Sequence, residues 1–387
     1  MYKILTLNNI SVAGLERLPR DLYEVASEIQ HPDAIMVRSF KMHGMTIPES
    51  LQAVGRAGAG VNNIPVADMS ARGIPVFNAP GANANAVKEL VLAGMLLAAR
   101  NICQAWDFAR RLEGDDAAIH KQAEDGKKKF VGFELAGKTL GVIGLGAIGV
   151  KVANHALRLG MQVIGYDPEL TVQSAWKLSS SVQQAVSIDD MLGRVDFVTF
   201  HVPLNDATRH MINAARVQRM KKGSVILNFA RDGVVDDEAV CAAIKENRIR
   251  AYVCDFTNNL LKNHERVITL PHLGASTVEA EDNCAIMIAD QLRAYLEHGN
   301  IHNSVNFPDV EIPRNEGFRI AIANSNVPNM VGQISTVLAK AGLNIIDMLN
   351  KSRGNLAYTL VDVDRELSGE VVGAIKKIDG VLNVRLL

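Results

Sequence analysis

The run Gly144-Leu145-Gly146-Ala147-Ile148-Gly149 has a glycine spacing that brings backbone against a pyrophosphate. An apolar strand pattern, Leu140–Ile143, precedes it, and a helical pattern, Ala147–Leu159, opens within it. In such a run the first glycine allows a tight turn and the second lets the backbone approach the phosphates. The third lets helix and strand pack closely. The helix start adds unpaired N–H groups and a positive dipole end, so Ala147 and Ile148 join Gly144, Gly146 and Gly149 as expected dinucleotide contacts. The next strand pattern, Gln162–Tyr166, ends at Asp167, about 20 residues further on as such folds require. A carboxylate there accepts hydrogen bonds from both ribose hydroxyls and repels a 2′-phosphate, which selects NAD over NADP.

A second glycine-rich stretch, Gly55-Arg56-Ala57-Gly58-Ala59-Gly60-Val61-Asn62-Asn63, also follows a strand pattern. It lacks the third glycine and the downstream acid. Its bare N–H groups at Gly58, Ala59 and Gly60, beside Arg56, suit a small anion such as a carboxylate or phosphate.

Strand and helix patterns must hold these loops. Residues 1–80 offer short strands at Ile4–Leu7, Ala34–Val37, Ala53–Ala57 and Pro75–Asn78, the signature of a small parallel α/β domain. Apolar residues at helical spacing then predict one long helix over Asn85–Leu112, and the charged stretch Glu113–Phe130 reads as a surface excursion. From Lys138 strands alternate with helices, adding Phe197–His201, Ser224–Phe229, Ala251–Cys254 and Val267–Leu270, a doubly wound parallel sheet. A helix over Thr277–His298 follows, then a proline-containing linker, Asn300–Asn315. The last 70 or so residues read βαββαβ, the order of a ferredoxin-like module. The expected fold is therefore α/β with two Rossmann-like domains and this antiparallel tail. Its expected boundaries are 1–87 completed by 283–308, then 88–282, then 316–387.

Taken together, these motifs resemble the D-2-hydroxy-acid dehydrogenases and, within them, the phosphoglycerate dehydrogenases. The likeness rests on Gly55–Asn63, Gly144–Gly149 with Asp167, His201-Val202-Pro203-Leu204 with Thr208, Asn228-Phe229-Ala230-Arg231, and Pro271-His272-Leu273-Gly274-Ala275-Ser276-Thr277. The resemblance implies NAD-dependent oxidation of 3-phospho-D-glycerate to 3-phosphohydroxypyruvate, the opening step of L-serine biosynthesis. It implies that Arg231 grips the substrate carboxylate and that His272 is the acid/base. It adds His201, Val202, Pro203, Thr208, Phe229, Ala230, Asp255 and Gly274 to the cofactor contacts. The residue types agree, since a histidine exchanges protons near neutral pH and a guanidinium presents a fixed fork to a carboxylate. One feature departs from the family: the glutamate that usually pairs with the histidine has no counterpart in Asp255-Phe256-Thr257-Asn258-Asn259-Leu260-Leu261. His272 is then expected to work mainly as a neutral base, or to be oriented by another group.

Arg38, Ser39 and Lys41 follow one strand of the first domain and Arg56 another, so Arg38 and Arg56 are expected to converge in the interdomain cleft on a substrate phosphate. Lys88, near the start of the long helix, is an added substrate contact. The tail resembles an ACT domain, a small-molecule sensor that pairs with a second copy. Asn324, Asn326 and Asn344 are its expected contacts to L-serine or another amino acid. The resemblance also implies a homo-oligomer, dimer or tetramer. The competing readings are a dehydrogenase of another 2-hydroxy acid (glycerate, lactate or 2-hydroxyglutarate) and a catalytically weakened NAD-linked sensor.

Composition narrows the partners. With 41 Lys+Arg against 42 Asp+Glu in 387 residues there is no basic excess for nucleic acid. No apolar run is long enough to span a bilayer. The start, Met1–Leu7, reads as a strand and not as a signal peptide, so a cytoplasmic location is expected. Cys103, Cys241, Cys254 and Cys284 form no CxxC pair and read as buried thiols, with no metal site expected.

Overall fold

The computed structural model describes residues 1–314 and 316–387. Asn315, the last residue of the expected linker, lies outside the described residues. The chain divides into two compact units, Met1–Asn83 with Val278–Leu387, and Ala84–Thr277.

The first unit begins with β1 (Tyr2–Leu7), α1 (Val12–Leu15), β2 (Tyr23–Ala26), β3 (Ala34–Val37), β4 (Ala53–Arg56), α2 (Val66–Ala71) and β5 (Val76–Phe77). Its strands pair in parallel in the order β2-β1-β3-β4-β5. The sequence reading missed β2, a four-residue edge strand with only one buried residue and hence almost no apolar pattern.

The second unit holds α3 (Ala84–Arg100), α4 (Ile102–Arg110), α5 (Asp116–Gly126), β6 (Thr139–Ile143), α6 (Ala147–Arg158), β7 (Gln162–Tyr166), α7 (Val172–Lys177), β8 (Gln183–Gln184), α8 (Ile188–Leu192), β9 (Phe197–Phe200), α9 (Ala214–Val217), β10 (Ser224–Asn228), α10 (Asp237–Lys245), β11 (Ile249–Cys254) and β12 (Val267–Thr269). All seven strands are parallel, in the order β12-β11-β10-β9-β6-β7-β8. Alternate strand residues feed two cores, as expected of a sheet covered on both faces. Val142, Leu227 and Val253 face the helices α3 and α6, whereas Ile143, Ile226 and Cys254 face α8 and α10.

The expected single helix Asn85–Leu112 is two helices. Asn101 takes a left-handed conformation (φ 52°), and its side-chain amide donates to the carbonyls of Phe130 and Val131, both at 3.3 Å. The expected excursion Glu113–Phe130 is largely helical: Asp115 caps α5 by accepting from the Ala118 N–H, and a 3-10 turn follows at Lys127–Phe130. A polar surface helix has no core face to announce it.

The first unit resumes with α11 (Val278–His298), then β13 (Phe318–Ser325), α12 (Met330–Lys340), β14 (Ile345–Arg353), β15 (Leu356–Val363), α13 (Gly369–Lys376) and β16 (Val381–Leu386). These last strands form an antiparallel sheet ordered β14-β15-β13-β16. One face, with Ile320, Ile322, Val361 and Val363, packs under α12 and α13. The other face, with Ala321, Ala323, Tyr358 and Leu360, shares a core with Tyr295 of α11 and with Phe307.

The segment expected to be a linker is thus built into the unit. Asn306 satisfies the Val76 N–H and the Ile74 carbonyl, and Phe307, Val310 and Ile312 are buried. Arg319, fully buried, forms a two-pronged pair with Asp362 and donates to the carbonyls of His298, Ile312 and Pro313. None of the helices among the described residues is long and apolar enough to cross a membrane.

Candidate active site

Parallel strands put their carboxyl ends on one edge. Reading along that edge of the second unit, His272 follows β12, Asp255 follows β11, Arg231 follows β10, His201 follows β9, Gly144 follows β6 and Asp167 follows β7. The strand order reverses between β9 and β6, the crevice where open α/β sheets take ligands.

The fingerprint stands at that crevice. Gly144 has φ 88°, and a Cβ there would lie 2.5 Å from the His201 carbonyl oxygen. A Cβ on Gly149 would lie 1.9 Å from the Gly144 oxygen, so helix and loop touch through hydrogen alone. A Cβ on Gly146 would meet nothing within 4 Å, which leaves space on its side of the loop. Gly146 starts α6 without a side-chain cap, so the first N–H groups of the helix are available to phosphate oxygens. Asp167 receives the Leu145 N–H at 2.7 Å and the Glu169 N–H at 2.9 Å, which pins its carboxylate beside the loop. These residues fit a dinucleotide.

His201 is a neutral imidazole. Burial pushes its pKa down to about 3. Its Nε2 meets Thr199 Oγ1 at 3.2 Å, while its buried Nδ1 has no partner among the described residues. The turn Val202–Thr208 closes on itself: Thr208 Oγ1 donates to the Pro203 carbonyl at 2.6 Å and receives the Asn205 N–H at 2.9 Å.

The His272 turn is held by Asp255. Both Asp255 carboxylate oxygens accept main-chain N–H groups, from Leu273 at 2.7 Å and Gly274 at 2.8 Å, and the His272 N–H reaches the Asp255 carbonyl at 3.1 Å. His272 itself is left-handed (φ 57°), a conformation uncommon for residues other than glycine. Its exposed ring lies 5.2 Å from the ring of Phe256, and no carboxylate pairs with it among the described residues.

Where a partner glutamate was sought, Asn258 turns elsewhere. Its Nδ2 donates to Asp237 at 2.7 Å, and its Oδ1 accepts the Leu260 and Leu261 N–H groups. Asp237 also receives the Tyr252 hydroxyl at 3.2 Å, and burial raises its pKa. Asn228, at the end of β10, bonds the Arg231 carbonyl at 3.0 Å and the Tyr252 oxygen at 3.5 Å. This chain of contacts ties the Arg231 turn to the Asn258 turn. Sequence reasoning missed Asp237, Tyr252 and Asn258, because they are far apart in the chain and belong to no local motif. The only available signal was asparagine and aspartate at strand and helix ends.

Two assigned cofactor contacts look different in place. The Phe229 ring packs on Gly94 of α3, where a Cβ would lie 2.8 Å from it, so only the backbone of this residue faces the edge. Ala230 is likewise buried. Arg231 is exposed, its Nη1 donating to the Ala230 carbonyl at 2.6 Å.

In the first unit β3 and β4 are neighbours with Val37 opposite Arg56. Arg38 and Arg56 therefore leave the same sheet edge, and Arg56 Nε donates to the Arg38 carbonyl at 3.1 Å. The Arg38 guanidinium already pairs with Glu281 of α11 at 2.5 Å. The Ser39 N–H donates to Asn8 Oδ1 at 3.2 Å, and Lys41 is exposed. In the glycine-rich loop, Gly58 closes back on the Arg56 carbonyl at 2.7 Å, the Ala59 carbonyl accepts from Asn78, and Gly60 is partly exposed. Lys88 of the second unit is buried at 6% exposure, with Glu89 3.2 Å from its Nζ.

The three asparagines of the tail are not brought together. Asn324 is 1% exposed and bonds within the sheet to Ser325 and Thr359. Asn326 binds Asn355 and Gly354 just before β15, whereas Asn344 meets Asp364 just after it. The two exposed asparagines thus stand at opposite ends of one strand.

Residues 93–274 match the family described as D-isomer specific 2-hydroxyacid dehydrogenase, NAD binding domain. The chain is 32% identical over 349 residues to the D-3-phosphoglycerate dehydrogenase of Haemophilus influenzae, covering 87% of this chain and 81% of that one. The chain belongs to the D-isomer-specific 2-hydroxyacid dehydrogenase family. This dehydrogenase is NAD-dependent. It is also 40% identical over 296 residues to the D-3-phosphoglycerate dehydrogenase of Methanocaldococcus jannaschii, an alignment covering 74% of this chain but only about half (54%) of that protein. The D-mandelate dehydrogenase structure from Rhodotorula graminis superimposes with a TM-score of 0.67 at 22% identity, covering 81% of this chain and 99% of that one, which speaks for the fold alone.

Proposed function

We propose that this dehydrogenase oxidises 3-phospho-D-glycerate to 3-phosphohydroxypyruvate in the cytoplasm, the step that opens L-serine biosynthesis. The observation that carries the reading is the shared carboxyl edge, where His272 and Arg231 follow strands of the same sheet that presents the Gly144–Gly149 loop. Bound NAD supplies the acceptor for a hydride from substrate C2. Arg231 holds the carboxylate in a fixed fork. His272 takes the C2 hydroxyl proton as the general base. Asp255 acts through the backbone, locking the turn that presents the histidine. Arg38, Ser39 and Arg56, with the N–H groups of Ala59 and Gly60 in the loop that Gly58 closes, take the phosphate, and Lys88 adds a further cation for the substrate.

Glu281 favours a second reading. It already neutralises Arg38, which suits an unphosphorylated 2-hydroxy acid better. Initial rates of NAD reduction with 3-phosphoglycerate and with glycerate decide between the two. The first reading expects phosphoglycerate to be preferred by at least about tenfold in kcat/KM, the worth of one charge-assisted contact. Equal rates would establish the second, and no turnover on either would leave a weakened sensor.

The antiparallel tail supports an ACT-like role in which two copies pair. Asn326 and Asn344 stand near opposite ends of β15, which supports an L-serine or other amino-acid site shared between two chains of a homo-oligomer.

A further inference from the structure

The amino-terminal edge of the seven-stranded sheet, opposite the fingerprint, carries a basic trough. Lys138 immediately precedes β6, Lys222 comes just before β10, Arg250 lies at the start of β11 and Arg266 immediately precedes β12. These side chains line two adjoining clefts of about 320 and 400 Å³, which share Arg250 and Arg266, and Lys129 of the 3-10 turn closes the smaller one. The acids of the trough are Asp196 and Glu265. Asp196 is already engaged by Lys221 at 3.2 Å and by the Thr139 N–H at 2.8 Å. Five cations therefore face one acid with no other partner. In a molecule of net charge −1 that is a local device and not a general basic surface.

The floor is pre-organised. Phe133 holds the Arg250 guanidinium over its ring at 4.9 Å and the Lys138 ammonium at 5.5 Å. Arg266 is anchored by donating to the Ile244 carbonyl. Two buried polar atoms in the smaller cleft have no partner among the described residues, Arg250 Nε and Gln104 Oε1. Such orphans are rare in native interiors and call for an explanation. The field is also felt nearby: burial, and then the positive charges of Lys245 and Arg266, hold the His264 pKa below its usual value.

The geometry points to a second anion site in this trough, one that takes a phosphate-bearing small molecule. Two separated guanidinium groups with flanking ammonium groups match the several oxygens of a diphosphate, and the orphan Gln104 carbonyl offers an acceptor to a hydroxyl on the same ligand. Nothing in the dehydrogenase reaction uses this edge.

Calorimetric titration of NADH-saturated enzyme tests the site, because NADH already fills the phosphate seat at α6. Inorganic pyrophosphate is the first probe and ADP the second. Binding is expected in the unaltered enzyme and is expected to weaken about tenfold in Arg250→Gln and again in Lys222→Gln, with turnover unchanged in both. Lys222 is exposed and unpaired among the described residues, so its replacement leaves the fold intact even where Arg250→Gln disturbs Phe133. ADP displacing pyrophosphate would identify an organic diphosphate, and ADP failing to do so would identify the inorganic anion; either result supports the site. Absence of binding to the NADH complex, or equal affinity in both variants, overturns it.

Discussion

Each unit has a glycine-rich loop after a parallel strand, and the two loops read anions differently. In the second unit the loop runs straight into α6, so uncapped N–H groups and the helix dipole do the reading. In the first, no helix follows the loop until Val66, and the charge comes from Arg38, just after β3, and Arg56, at the end of the neighbouring β4. A backbone site depends on close approach and tolerates no added atom. A side-chain site depends on charge and is graded. The contrast also separates chemistry from grip, since the residues proposed for proton transfer and carboxylate binding are in the second unit and those proposed for the phosphate are mainly in the first.

The sharpest break of that contrast comes from His272→Asn. Loss of the base is expected to lower kcat by about 10²–10⁴ with little change in KM. His201, already neutral with its pKa near 3, offers no replacement. Unchanged turnover would move the chemistry away from this edge. Gly149→Ala comes next. The new methyl would stand 1.9 Å from the Gly144 oxygen, and forcing the helix off the loop should cost about 1–3 kcal/mol of stability together with NAD affinity. Thermal denaturation with and without NAD measures both, and an unaltered NAD affinity would show that the close contact is dispensable.

Arg56→Gln is the graded counterpart. It should raise KM for the phosphorylated acid by about 10-fold to 100-fold and leave NAD affinity untouched. An equal loss with glycerate would show that Arg56 supports the fold and not the phosphate.

The fingerprint was legible because its determinants are local. Strand, turn and helix lie within twenty residues, and each glycine answers a contact made nearby. Asp167 was equally plain, yet its engagement with the Leu145 N–H appeared only in three dimensions. The linker misled for the opposite reason. Prolines and polar residues suggested a spacer, but Asn306 finds its partners at Ile74 and Val76, more than two hundred residues away. The break at Asn101 was hidden because its cause, the carbonyls of Phe130 and Val131, lies outside any helical window. The absence of the glutamate could be seen in Asp255–Leu261, but not that Asn258 bonds Asp237.

What the sequence determined by itself was the doubly wound sheet, the dinucleotide and the residues offered for hydride chemistry, since period, glycine spacing and residue type are carried by short stretches of chain. What tertiary structure alone decided was how those residues are held. Asp255 grips the His272 turn, Glu281 neutralises Arg38, and cations from four strand ends gather in one trough. Those arrangements join residues remote in sequence, and no local pattern encodes which distant group a buried donor or charge will find.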